Sequence, residues 1–246
     1  GTYYMDSALL LGAEDSGEPD APVIYSAYKD EKPVLSGALR LEVQWNPYKG
    51  EIRQAKVPSL DPKYPQLFVN GRRQILARYP NFNRSTAIFN GYSKDAFLGV
   101  EANKEPHAKT GAFLHAIMVT GWGSLHYKVG AVDKDSGAYT LDGGYQVGLP
   151  LNLFKGTVPF VPDKNKRFID NVFEELDAPE EWYLDSPNNV IYFYPTEDIE
   201  MPQAVVELVM LKQLVVIKGS ETDPVRNIHF RGITFTHTSH IFLDEY

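Results

Sequence analysis

A chain of 246 residues is long enough for one large or two modest domains with a substantial core. Its formal net charge of −8 argues against a nucleic-acid partner, because phosphate binding is dominated by Lys and Arg. With no Cys, it can form neither a disulfide framework nor a thiolate zinc site. Fifteen Tyr, 13 Phe, 19 Gly and 17 Pro, with no window that sustains a capped helical period, predict an all-β chain. The most apolar stretch, Ala204 to Ile217, is broken by Glu207 and Lys212. It is also shorter than the ~20 residues a membrane span needs, so no span is predicted.

Residues 1–41 carry short strand-like runs: Thr2 to Met5, Ala8 to Leu11, Val23 to Tyr28 and Pro33 to Gly37. Loop-like Glu14 to Asp20 and Lys29 to Lys32 separate them. Several of these runs are apolar throughout, as expected of strands buried between neighbours. That rhythm breaks near Leu41. From Glu42 to about Gln203 the strands are longer and alternate better. Asn70-Gly71, flanked by Leu67-Phe68-Val69 and Ile75-Leu76-Ala77, predicts a hairpin. Gly111 to Ala116 leads to Trp122-Gly123, and Leu141-Asp142-Gly143-Gly144-Tyr145 marks another turn–strand junction.

The stretch from Phe168 to Pro195 ends in a second predicted hairpin. Trp182-Tyr183-Leu184 and Val190 to Tyr194 flank the turn formers Asp185-Ser186-Pro187-Asn188-Asn189. After Pro202 the first rhythm returns, in Leu214 to Gly219 and in Asn227 to His237.

Several of these motifs together carry a resemblance. Glu174-Glu175-Leu176-Asp177, the run Glu181-Trp182-Tyr183-Leu184-Asp185 and Leu67 to Tyr79 resemble the insertion domain of bacterial right-handed β-helix proteins related to glycoside hydrolase family 141. The outer segments resemble parallel β-helix coils, each stabilised by the coil above and below. The resemblance implies first coils over 1–41, a β-sandwich or small barrel inserted over 42–203, and a β-helix resuming over 204–246. The family usually has Gly where this chain has Glu180, and Pro179-Glu180 favours a type I turn instead.

Function follows from the resemblance as an expectation. The parent protein would act on a polysaccharide or oligosaccharide as a glycoside hydrolase. A polysaccharide lyase or epimerase on the same scaffold, or a non-catalytic carbohydrate-binding surface protein, are the alternatives. The chain opens at Gly1 and stops at Tyr246, just after a strand-like run. It is therefore expected to be an N-terminal piece of a secreted, periplasmic or cell-surface protein, with a signal peptide upstream of Gly1 and the catalytic carboxylates beyond Tyr246.

Candidate chemistry within the chain is weighed residue by residue. A glycosidase needs two carboxyl groups roughly 5–5.5 Å apart for retention or 6.5–9.5 Å for inversion. Glu174 and Glu175 are neighbours and would point to opposite faces, so the acidic run 174–181 reads first as a solvated or hairpin-bracing cluster. His115, Trp122 and His126 fall in one strand–turn–strand region, where aromatic faces and imidazoles could meet a sugar. A buried core or interface role for His115 is at least as strong, given its apolar neighbours. Arg72 and Arg73 follow a hairpin tip and face opposite ways, one solvated and one at the core rim. A bidentate clamp on a substrate carboxylate by Arg72 is the functional alternative. His237, His240 and Asp244 are expected on the last β-helix coil, near the sheet that carries the groove in such enzymes. Asp15 to Asp20 could offer oxygen ligands to Ca²⁺ but lacks an EF-hand pattern, so no cofactor is expected.

Overall fold

The computed structural model describes residues 1–92, 109–118, 121–132, 139–143 and 162–244. Gly144 and Tyr145 of the predicted turn–strand junction lie outside them. Among the described residues the structure is all-β, built of small sheets of mixed parallel and antiparallel pairing with short 3-10 turns. Two compact units appear: Gly1–Leu41 with Val205–His240, and Glu42–Ala204 with Ile241–Tyr246.

In the first unit, early strands pair in parallel with late ones. Leu9–Leu11 lies beside Val215–Ile217, and Val23–Ser26 beside Ile228–Arg231. Val34–Ser36 runs between Thr2–Tyr4 and Thr234–Thr236. In-register parallel pairing sets Tyr25 beside Phe230, and the two rings stack with centroids 5.1 Å apart. Ala38–Leu41 pairs antiparallel with Val206–Val209. The all-apolar run Leu9-Leu10-Leu11 is not buried throughout: Leu10 is 71% exposed and Leu11 2%. Successive side chains leave a strand on opposite faces, and here only one of those faces is covered.

The second unit holds two five-stranded sheets. One is mixed, in the order Ile75–Leu76, Glu181–Asp185, Val190–Phe193, Arg53–Lys56 and Asn46–Pro47. Its first pair is parallel and the rest antiparallel. The other sheet is antiparallel, in the order Arg78–Tyr79, Pro162–Asp170, Phe113–Met118, Ser124–Val132 and Tyr139–Gly143. Fully buried Ala77 joins the two sheets: its N–H donates to the Trp182 carbonyl and its own carbonyl accepts from Val172 N–H. The predicted Asn70-Gly71 hairpin forms, joining Leu67–Val69 to Arg72–Arg73. Both turn residues have positive φ, 50° and 73°, which matches the right-handed twist of the flanking strands.

Phe113–Met118 is covered on both sides, which accounts for its apolar run broken only by His115. Leu114 and Met118 pack with Leu125, Val129, Ile169 and Val172. On the other face Phe113 meets Tyr64 edge-on, with centroids 4.8 Å apart.

The Trp182 hairpin forms between Glu181–Asp185 and Val190–Phe193, with Trp182 opposite Phe193. The turn before it differs from expectation. Glu180 takes φ of 72°, the left-handed region that a Gly would occupy without strain, rather than a type I geometry. The reason is over-determination from both sides. Glu180 N–H donates to Tyr194 O, Glu180 O accepts from Ile75 N–H, and its carboxylate meets Arg84 at 2.8 Å. Two ladders fix the backbone, and the side chain follows.

Two outcomes are expected in equilibrium denaturation. Trp182 is completely buried, so Trp182→Ala should cost about 3–5 kcal/mol. Glu180→Gly and Glu180→Ala both remove the Arg84 contact, but only Gly relieves the left-handed strain. The Gly variant should exceed the Ala variant by about 1 kcal/mol, and equal stabilities would contradict the strain.

Candidate functional site

In the second unit a cavity of about 370 Å³ opens beside the antiparallel sheet. Its walls include Phe82, Phe89 and Phe168, with Arg73, Arg78 and Asp170 among its polar groups. Arg78 organises it. Its guanidinium is buried and donates from Nε to Pro80 O (2.8 Å), from Nη1 to Phe89 O (3.0 Å) and from Nη2 to Gly91 O (2.5 Å). Phe89 and Asn90 turn through positive φ of 52° and 50° to aim those carbonyls inward. Gly91 follows at φ of 117°, and a Cβ there would come within 2.8 Å of Asn81 O. Only glycine closes this wall.

Phe168 is held between two partners. The Arg78 guanidinium sits 3.9 Å from its ring centroid, and the His115 imidazole stacks on it at 4.4 Å with 12° between the planes. Two groups that close to one centroid must take opposite faces, giving a three-layer stack of cation, aromatic ring and imidazole.

Behind that stack runs a hydrogen-bonded chain across three elements. Tyr64 Oη donates to Asp170 Oδ2 at 2.7 Å, and His115 Nε2 approaches Asp170 Oδ1 at 3.2 Å. His115 and His126 stand directly opposite on paired strands, with their Nδ1 atoms 2.5 Å apart. His126 Nε2 meets Ser124 Oγ at 3.1 Å. With Asp170 as a carboxylate and both imidazoles neutral, His115 donates from Nε2 and presents a bare Nδ1. His126 then donates from Nδ1 and accepts the Ser124 hydroxyl at Nε2. Every proton in the chain points toward Asp170. Burial first, and then Asp170, raises the Tyr64 phenol well above its ordinary value, so it stays protonated as a donor.

The structure thus brings His115 and His126 together, with His115 only 2% exposed. Trp122, in the turn between their strands, is 87% exposed. Arg72 and Arg73 do face differently: Arg72 meets Asp198 at 2.5 Å, while Arg73 lines the cavity. Asp244 pairs with Lys63 at 2.7 Å in the second unit. In the first unit His237 Nδ1 contacts buried Ser36 Oγ at 2.9 Å and lies 3.8 Å from Glu207, while His240 is exposed. Ser36 and Glu207 approach the same ring nitrogen, so these three do not form a nucleophilic triad. Asp15 accepts the Gly12 N–H. Among the described residues, no group of three or more His, Asp or Glu is placed to hold a metal ion.

Sequence reasoning passed over Arg78, Phe168, Asp170 and Tyr64. The i, i+2 spacing of Phe168 and Asp170 puts those two on one strand face, and no local pattern joins Arg78 or Tyr64 to them.

The acidic run is not uniform. Glu174 pairs with Lys109 at the surface, but Glu181 is 1% exposed. Its Oε2 accepts the N–H groups of Asp177 and Ala178, both at 3.1 Å, so it does brace the hairpin entry. Its Oε1 is buried with no hydrogen-bond partner among the described residues. Burial pushes the carboxyl up to about 7, against the pull of those backbone donors.

Among the described residues the cavity is lined by one acid, Asp170, whose two oxygens are already engaged. Two-carboxylate glycoside hydrolysis has no pair to use there. The geometry suits binding: a rigid aromatic wall with fixed polar groups.

A solved structure described as a glycoside hydrolase overlays 98% of this chain, with a TM-score of 0.70 and 26% sequence identity. The match takes in 42% of that protein, so the chain spans about two fifths of its length. The fold is therefore that of a glycoside hydrolase-like protein. No protein-family model and no curated protein matches the sequence.

The Glu181 carboxyl makes stability depend on pH. The unfolded chain releases this proton near 4.5 and the folded chain holds it to about 7. Its contribution is complete below about 4.5 and is lost as pH rises through 7, at most about 3 kcal/mol. Glu181→Gln keeps an acceptor for the two N–H groups and cannot ionise. Denaturant titrations at pH 5 and pH 8 should show the wild type losing stability relative to this variant. A gap that does not change with pH would contradict the buried acid.

Proposed function

We propose that the chain is part of a glycoside hydrolase that acts on a polysaccharide, built on a right-handed parallel β-helix and resembling family 141. The observation that carries this is the likeness to a glycoside hydrolase over nearly the whole chain. Three parallel ladders in the first unit, each joining a strand before residue 41 to one after residue 205, support the β-helix part. In this reading 1–41 and 204–240 belong to the β-helix and 42–203 is its insertion, with which 241–246 group instead of with the β-helix segment expected over 204–246. We assign the two carboxylates to further coils of a longer protein, since the chain matches 42% of the neighbouring glycoside hydrolase and, among the described residues, Asp170 is the one acid lining the second unit's cavity. The insertion then contributes to substrate binding rather than to bond cleavage, and the protein works outside the cytoplasm, where polysaccharide is met.

The test is a panel of neutral and uronic-acid polysaccharides incubated with the full-length protein in ¹⁸O-labelled water. Reducing ends that carry the label are the expected result. An unsaturated product would replace hydrolysis by elimination, and binding without turnover would leave a carbohydrate-binding protein.

A further inference from the structure

On a chain with a net charge of −8, the cavity in the second unit is locally cationic: among the described residues three arginines, Arg73, Arg78 and Arg84, line it against one aspartate. The three differ in what they have left to give. Arg78 spends its donors on three backbone carbonyls. Arg84 meets Glu180 at 2.8 Å. Arg73 is exposed at the rim and has no ion pair among the described residues, although Arg72 beside it is paired with Asp198. Its guanidinium is a planar fork matched to a carboxylate or a sulfate.

Two further observations make this a built site rather than a stray surface charge. Phe82, Phe89 and Phe168 give the cavity apolar ring faces, and Phe168 is clamped from both sides, so that face is rigid. Gln66 and Gln74, each 5% exposed, line the same cavity. Each keeps one amide atom without a hydrogen-bond partner among the described residues: Nε2 of Gln66, a donor, and Oε1 of Gln74, an acceptor. Buried amide groups left so are unusual, and hydroxyl groups of a bound sugar could satisfy them after a small side-chain rotation. At about 370 Å³ the cavity falls in the size range of small-molecule sites, ~300–1,000 Å³.

We infer that this cavity is a binding subsite for an acidic sugar unit of a glycan, with Arg73 holding the anionic group and Phe168 offering its ring face. The inference rests on the reading above that the protein acts on polysaccharide. The acidic group sits at the mouth, where Arg73 is free to meet it. The ring and its hydroxyls enter toward the glutamines.

Calorimetric titration of the full-length protein with oligogalacturonides, sulfated galacto-oligosaccharides and uncharged galacto-oligosaccharides tests it. Acidic oligomers should bind at least about tenfold more tightly than neutral ones at low salt, and the advantage should shrink as salt is added. The carboxylated and sulfated arms show which anion the fork prefers. Arg73→Ala should abolish the preference, Arg73→Lys should restore part of it, and Arg72→Ala, which changes a rim charge outside the cavity, should leave it intact. Equal binding of neutral and acidic oligomers, or a preference that survives Arg73→Ala, would overturn the inference. Labelled hydrolysis of a neutral glycan with no dependence on Arg73 would sink the subsite alone. Absence of binding or turnover with every glycan would sink the polysaccharide reading beneath it.

Discussion

The second unit depends on how a buried guanidinium and a buried carboxylate are accommodated side by side. Taking either charge out of water costs several kcal/mol unless hydrogen bonds replace the lost solvent. Arg78 finds them in three carbonyls of the segment 80–91, and Asp170 in Tyr64 and His115. Each solution dictates local structure. The carbonyls reach Arg78 only because Phe89, Asn90 and Gly91 turn through positive φ. The carboxylate is served only because His115 stands on the strand next to its own. Phe168 lies between the two systems and separates the cation from the imidazole. Removing any one member leaves a buried polar group exposed to an apolar wall, so cavity shape and fold stability share the same interactions.

That coupling explains why the cavity looks like a recognition surface rather than a reactive one. Reaction chemistry needs groups with protonation to spare. Here Asp170 has both oxygens bonded and His115 has both nitrogens bonded. The polarised line from Ser124 to Asp170 fixes tautomers and ring orientations, as hydrogen-bonded partners do for working histidines elsewhere. Its product is rigidity at the wall. The groups left available are the Arg73 guanidinium at the rim and one amide atom each of Gln66 and Gln74 within.

Much of the fold was legible in the chain, for local reasons. Asn70-Gly71 announces a turn with two positive φ values, and the Trp182 hairpin is framed by Pro and Asn. Strand alternation located Leu67–Val69 and Val190–Phe193. The site was not legible in the same way. Arg78 and Phe168 are 90 residues apart in sequence, and Phe168 meets His115, its register partner on a third strand. No motif records a contact made by strand order. Glu180 shows a different limit. Turn chemistry favours αR for a glutamate after proline, but two ladders and an ion pair outweigh that local preference. Glu181 shows a third, because an acid one position along from an ion-paired, partly exposed one can face inward and stay protonated near neutral pH.

The division between the two units gives these features a consistent logic. In the first, parallel in-register strands repeat similar side chains, as in Tyr25 on Phe230, so each added strand extends an existing surface without creating a new shape. A pocket on this unit, about 410 Å³ and lined by Leu214, Val215, Ile217, Phe230, Phe235, Thr236 and Thr238, has no charged lining among the described residues. The second unit breaks repetition with mixed pairing, a left-handed Glu180 and a glycine-closed wall at Gly91. Those irregularities are where a cavity with its own charge can form, and they require buried partners to hold them. A chain that combines both kinds of architecture can keep a regular frame for one task and vary an irregular pocket for another. The cost is that Arg78, Phe168, His115 and Asp170 tolerate change only together.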